Sequence, residues 1–211
     1  MLDVGSGIGK HAIHFADYLA APGRCEGFDV DPAMVLWCNE AIAPRHPHLR
    51  FRHVPIQNAM YSPGRSLQAA DFTLPYPSGT FDLVFLGSVF THMFDRDVRH
   101  YLGGIARVLK PGSRCVATMY LLNDEKRAGI AAGTSVFSFN IAHEGSRIEP
   151  ADPPEGAVAH EEARVLTMVA EAGLDLAGPL RYGSWAATAE QSQDFVLLRK
   201  PQTHVQPTLS D

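Results

Sequence analysis

LDVGSGIGK, residues 2–10, sets three glycines within five positions of one another, between an apolar lead-in and a helical run. Leu2-Asp3-Val4 reads as the tail of a buried strand and Gly5-Ser6-Gly7-Ile8-Gly9 as a tight loop. From Lys10 to Ala21 the apolar residues Ala12, Phe15, Ala16 and Leu19 fall on one helical face, and Pro22-Gly23 stops the run. Glycine lets the backbone turn sharply and lets a ligand come close to its amides. A strand, such a loop and a helix in succession offer unpaired N–H groups to a negatively charged group. The stretch therefore predicts a nucleotide-like ligand lying across the carboxyl ends of parallel strands.

Asp29 strengthens that reading. It falls twenty residues after Gly9, at the end of a short second strand, Cys25 to Asp29. An acid in that place accepts hydrogen bonds from both ribose hydroxyls, which makes loop and acid a two-point adenosine site. The glycine spacing is G-x-G-x-G, against the G-x-G-x-x-G of nicotinamide-binding loops. Lys10 is followed by His11 and not by the Ser or Thr that a P-loop requires.

The rest of the chain alternates strand and helix. Asp31 is suited to cap a helix that begins at Pro32 and runs to about Ile42. Leu49 to Val54 reads as a third strand, and Pro55 to Ser66 as irregular. Phe81 to Leu86, FDLVFL, is apolar nearly throughout, as a strand buried on both faces must be. Val98, Tyr101, Leu102, Ile105 and Leu109 repeat at helical spacing until Lys110-Pro111-Gly112 breaks the pattern. Arg114 to Leu122 is a further strand, Glu161 to Ala172 a helix closed by Gly173, and Leu176 to Leu180 and Phe195 to Arg199 complete the sheet. The pattern predicts one α/β domain over residues 1–200, a doubly wound sheet, with residues 201–211 as a flexible tail.

Bulk properties narrow the function. A net charge of −5, with basic residues scattered, argues against a nucleic-acid groove. No apolar run reaches the roughly 18 residues of a membrane span. Three cysteines without metal-ligand spacing point to reduced thiols and a cytoplasmic protein. His46, His48 and His53 lack the further ligands a metal site needs, so no metal is expected.

Beyond the loop and Asp29, the sequence resembles the class I S-adenosylmethionine-dependent methyltransferases. LDVGSGIGK is similar to their first motif and GFDVDPAM to the second. LPYPSGTFDLVF resembles the approach to the fourth strand, and RVLKPGS the helix end before the fifth. These cover roughly residues 2–122; GSW (183–185) and QDFVLLRK (193–200) are similar to a bacterial subgroup of uncertain substrate. The resemblance implies a Rossmann-like, mostly parallel sheet with an antiparallel last strand, and S-adenosyl-L-methionine as cofactor. It implies that Gly5, Ser6, Gly7 and Gly9 shape the bed for the methionine part, with Asp3 beneath, orienting the loop or the ammonium group. Asp29 would hold the ribose, Val30 the adenine, and Ser88 the methionine end. The family's usual acid after the third strand is replaced by Pro55, leaving Asn58 or Asp71 as substitutes. The family's usual helical segment before the first motif has no counterpart here, so a truncated or miscalled start is expected.

Methyl transfer asks the protein to align nucleophile and methyl, with a base most useful for a hydroxyl acceptor. His92, after the fourth strand, is the candidate base. Residues 123–159 are too long for a mere connection and are expected to cover the substrate, with Phe137, Phe139 and Ile141 alternating as a short strand or flap with an apolar side. Tyr120, Phe137 and Trp185 are the candidate substrate contacts. The expected partner is a small-molecule methyl acceptor. Two other readings are a non-catalytic cofactor-binding protein and a nucleotide-dependent oxidoreductase.

Overall fold

The computed structural model describes residues 1–19, 22–150, 152–187 and 192–202. Strand β1 (Leu2–Val4) lies in mid-sheet, all three residues buried, because parallel partners flank it on both edges. Leu2 stands opposite Glu26 of β2 (Cys25–Asp29) and Val84 of β4 (Phe81–Leu86). With β3 (Leu49–His53) and β5 (Leu109–Leu122) the parallel order is β3-β2-β1-β4-β5.

β5 is fourteen residues long and its outer edge is divided. Arg114 to Met119 pair antiparallel with β10 (Asp194–Arg199), which pairs antiparallel with β9 (Asp175–Leu176). β9 therefore runs in the sense of β5, and β10 is the expected antiparallel last strand. Tyr120 to Leu122 instead pair with β8 (Val158–Glu161), which carries the antiparallel β7 (Ser146–Ile148) and β6 (Ile141–His143). The segment expected as a flap is thus an arm built onto the sheet.

Several boundaries differ from expectation for local reasons. The run from Lys10 is helical only to Ala16 (α1), and Ala20-Ala21 lie outside the described residues. The Asp31 side chain caps Ala33 N (2.8 Å) and Met34 N (3.2 Å), starting α2 (Pro32–Trp37); the run then widens to a π-helical turn, Cys38–Ile42. Lys110-Pro111-Gly112 does end α3 (Asp95–Val108), yet β5 begins at Leu109. Phe81 pairs with Leu109 and Leu83 with Arg114, so residues 110–113 bulge out, with Gly112 at φ 80°. Phe137 and Phe139 precede β6, because Phe139 sits at φ 41°, off extended geometry. Beyond Leu176 the strand expected to reach Leu180 stops. Of the expected tail, residues 203–211 lie outside the described residues.

The helices cover both faces. Val98, Leu102 and Ile105 of α3 pack with Val165 and Met168 of α5 (Glu162–Glu171) on the face that carries Val84 and Leu86. Ala12, Val35 and Cys38 pack on the other, against Leu83 and Phe85. A third cluster, Tyr120, Phe139, Ala159 and Trp185, forms where the arm and α4 (Asp124–Ala131) meet the sheet.

Candidate active site

The carboxyl ends of β1, β2 and β4 open into a cavity of about 440 Å³. Its floor is the glycine loop. Gly5 is at φ 69° and Gly9 at φ 77°, a region that side chains with a Cβ avoid. A Cβ on Gly5 would strike Val89 and one on Gly9 would strike Ile42. Gly7 differs: a Cβ there would meet nothing nearer than Met34 Sδ at 4.0 Å, and Gly7 lines the cavity. Gly5 and Gly9 are glycine for packing, whereas Gly7 leaves room for something to approach the backbone.

Asp29 holds this floor from the side. Its Oδ2 accepts from Gly7 N at 2.7 Å and its Oδ1 from Asp31 N at 2.9 Å. Each oxygen keeps a lone pair for a further donor, and Asp29 lines the cavity. Asp3 lies below, fully buried, and among the described residues neither its carboxylate oxygens nor the buried Ser6 hydroxyl has a hydrogen-bond partner. Burial, and then the nearby charge of Asp29, push the Asp3 carboxyl up to about 7.

Of the residues expected to bind cofactor, Gly5, Gly7, Asp29, Val30, Asn58 and Ser88 line the cavity. Asp3, Ser6 and Gly9 are placed beneath or behind it. Ser88 adopts φ 60°; its N–H donates to Thr118 Oγ1 (2.8 Å) and its hydroxyl to Gln193 Oε1 (3.1 Å). Asp71 faces solvent beside Arg96 and does not line the cavity. Met34, Gln68 and Tyr61 line the cavity and carried no signal in the sequence. Met34 follows from its place in the first turn after Asp31. Gln68 and Tyr61 come from the irregular stretch after β3, which Ile56 and Leu67 close by pairing.

The cavity wall also includes His92, on a short turn (Phe90–His92) after β4. Its Nδ1 donates to the Glu155 carbonyl at 2.8 Å and its Nε2 lies 3.3 Å from the Tyr61 hydroxyl. Burial lowers the His92 pKa, with the Glu155 bond opposing. Tyr120, Phe137 and Trp185 are elsewhere. They pack with Phe139 in the third cluster, with ring centroids 5.1–5.5 Å apart, and none lines the cavity. The Trp185 Nε1 donates to the buried Asp194 at 2.8 Å, and Lys126 Nζ lies 5.3 Å from the Trp185 ring.

A family described as "Methyltransferase domain" matches residues 2–117, more than half of the chain and the whole glycine-loop end of the cavity. The chain belongs to that family. Its members of this type are the class I S-adenosylmethionine-dependent methyltransferases, and S-adenosylmethionine is the cofactor. Solved structures share the fold at low identity. A methyltransferase of Methanosarcina mazei described as S-adenosylmethionine-dependent superposes with a TM-score of 0.64 at 16% identity, covering 95% of this chain and 92% of that one. A protein from Pyrococcus horikoshii gives 0.63 at 14%, covering 95% and 81%. Human N-acetylserotonin methyltransferase, solved with S-adenosylmethionine, gives 0.57 at 17%, covering 96% and 47%. The residues present fit the cofactor's chemistry. The space above Gly7, the free lone pairs of Asp29 and the unpartnered Asp3 beneath are all features of a floor made to receive a polar, partly cationic ligand.

Proposed function

We propose that this methyltransferase-family protein is an active enzyme that moves a methyl group to a small molecule in the cavity between the glycine loop and His92. The bound cofactor supplies a methyl on a sulfonium, so the transfer is an in-line displacement. The chain's own contribution is then alignment and exclusion of water. Gly5, Gly7 and Ser88 bed the amino-acid end, Asp29 accepts from the ribose hydroxyls, and Val30 with Met34 and Ile56 packs on the base. Gln68 is the polar side chain left to face the base in place of the family's adenine-binding acid, because the Asn58 amide is engaged by Met60 N, Tyr61 N and the His92 carbonyl. His92 is the candidate base, and the acceptor enters beside it. The aromatic cluster of Tyr120, Phe137 and Trp185 supports the arm instead of touching the acceptor. The net charge of −5 and a cavity of about 440 Å³, sized for a small ligand, favour a small molecule over RNA or protein. Three buried free thiols suit a reducing, cytoplasmic setting.

The observation that carries this reading is Asp29, whose two oxygens fix the loop and still face the cavity. Calorimetry with S-adenosylmethionine and S-adenosylhomocysteine, on the native chain and on Asp29→Ala, tests it. Binding that the variant weakens by about 10- to 100-fold, the worth of hydrogen bonds to a charged group, supports the assignment. Native-like affinity in the variant sinks it. Binding without product from any acceptor would turn the reading toward a cofactor-binding protein.

A further inference from the structure

Three turns interlock at the cavity wall, and they centre on a tyrosine–histidine pair. In the turn 58–62, Asn58 Oδ1 accepts from Met60 N (3.1 Å) and Tyr61 N (3.0 Å), which fixes where Tyr61 leaves the backbone. Asn58 Nδ2 donates to the His92 carbonyl at 3.1 Å, tying that turn to the one after β4. The turn Pro154–Gly156 joins both: Ala59 N donates to Glu155 Oε1 (3.2 Å), and His92 Nδ1 donates to the Glu155 carbonyl. Tyr61 stands edge-on to His92, with ring centroids 5.0 Å apart at 83°.

Donor and acceptor bookkeeping fixes the direction of the pair. A carbonyl oxygen only accepts, so the Glu155 bond requires the proton on Nδ1. Nε2 of the neutral ring is then a lone pair, and the Tyr61 hydroxyl 3.3 Å away donates to it. The groups facing the pair are few. Burial lowers His92, while burial and the Asp29 carboxylate raise Tyr61. The Glu155 carboxylate is held by Ala59 N, and Arg96 and Asp97 of α3 and Glu144 of the arm line the same cavity. The pair is therefore a neutral base with a phenol between its lone pair and the cavity.

We propose that Tyr61 is a catalytic residue that receives the acceptor's proton and relays its own to His92, and that the acceptor is accordingly an alcohol or phenol. The inference rests on the methyltransferase reading and extends it to acceptor class. The acceptor O–H bond breaks as its proton passes to the Tyr61 oxygen, and the Tyr61 O–H bond breaks as its proton passes to His92 Nε2. The ring ends as an imidazolium with Nδ1 still on Glu155. The electron pair left on the acceptor oxygen forms the new C–O bond, and the pair of the broken S–C bond stays on sulfur. An amine in its unprotonated form already offers its lone pair and releases its proton only after bond formation, so it needs no relay in the transfer step itself.

The test uses the full chain with S-adenosylhomocysteine and, separately, without it. Imidazole nitrogen NMR on the native chain and on Tyr61→Phe, with His92→Gln to assign the signal, reads tautomer and titration midpoint. The expected result is a neutral, Nδ1-protonated His92 at pH 7.5. Its midpoint should rise in Tyr61→Phe, because the lost donor had favoured the neutral ring. Affinity for S-adenosylhomocysteine should not change. In a panel of phenols, alcohols and primary amines, turnover should be confined to oxygen acceptors and rise with pH. Tyr61→Phe should lower kcat at least about tenfold with the KM for S-adenosylmethionine unchanged. An Nε2-protonated or charged ring, an unmoved midpoint, or turnover confined to amines would overturn the proposal. Failure of the native chain to bind S-adenosylhomocysteine would remove the methyltransferase reading instead, and the tautomer of the unliganded protein keeps the two failures apart.

Discussion

Asp3 and Asp95 are both aspartates buried beside the cavity, one under the glycine loop and one at the start of α3 where the arm attaches, and their surroundings are opposite. Neither oxygen of Asp3 has a hydrogen-bond partner among the described residues. Asp95 accepts from Ser146 Oγ (3.0 Å), His160 Nδ1 (2.8 Å) and Arg164 Nε (2.6 Å). Burial would push both carboxyls up, and it carries Asp3 to about 7; at Asp95 the bonds from His160, Arg164 and Ser146 reverse it and bring the carboxyl to about 2. His160 also faces the Phe90 carbonyl through Nε2 at 3.0 Å, so both of its ring nitrogens stand against acceptors. Asp95 thus pins β7, β8 and α5 to the head of α3 and holds the arm at the cavity rim. A saturated carboxylate of this kind is structure. An unsaturated one is costly to fold around, and such groups persist where a ligand is received.

The contrast can be broken most readily at Asp95. Asp95→Ala leaves His160 and Arg164 without their shared partner, and urea unfolding at pH 7 should show a loss of about 3–5 kcal/mol; a loss below about 1 kcal/mol would make the network ornamental. Its contribution is present above the usual carboxylate range and disappears as pH falls toward about 2, because the folded state then has to take up a proton it binds weakly.

Asp3 should respond in the other direction. The folded protein holds its proton more tightly than the unfolded chain does, so this group costs stability as pH rises from about 4 to about 7. Asp3→Asn should therefore be the more stable protein at pH 8 by about 2 kcal/mol, within a ceiling of about 4 set by that shift, and equal to the native chain near pH 4. Unfolding curves across that range that stay parallel would show that Asp3 has partners after all.

The smallest effect belongs to the aromatic cluster. Trp185→Phe keeps the ring packing but removes the donor to Asp194, whose carboxyl is raised by burial and eased by bonds from Leu121 N, Trp185 and Gly183 N. A loss of about 1–2 kcal/mol with unchanged affinity for S-adenosylmethionine is expected; weakened cofactor binding would move the cluster into the site.

Strand pattern, glycine loop and the acid at the end of β2 were all legible, because each is a local requirement written in adjacent residues. Phe81 to Leu86 is apolar because both its faces are covered, and Asp31-Pro32 starts a helix by its own chemistry. The arm was less legible. Phe137 and Phe139 alternate like a strand, yet Phe139 turns to φ 41° and stacks on Phe137, so of the three alternating residues only Ile141 lies in a strand. Tyr120 and Trp185 read as pocket aromatics for the same reason: aromatic content does not say which surface a ring covers.

From the sequence alone came the sheet, the loop and Asp29, since backbone conformation and strand burial depend on near neighbours. The meeting of Tyr61 with His92 spans 31 positions, and those of Asp95 with His160 and Arg164 span 65 and 69. No periodicity carries a contact over such distances. Only the packing of the arm and the 58–62 turn around the strand ends decided which buried polar groups are paired and which still face a ligand.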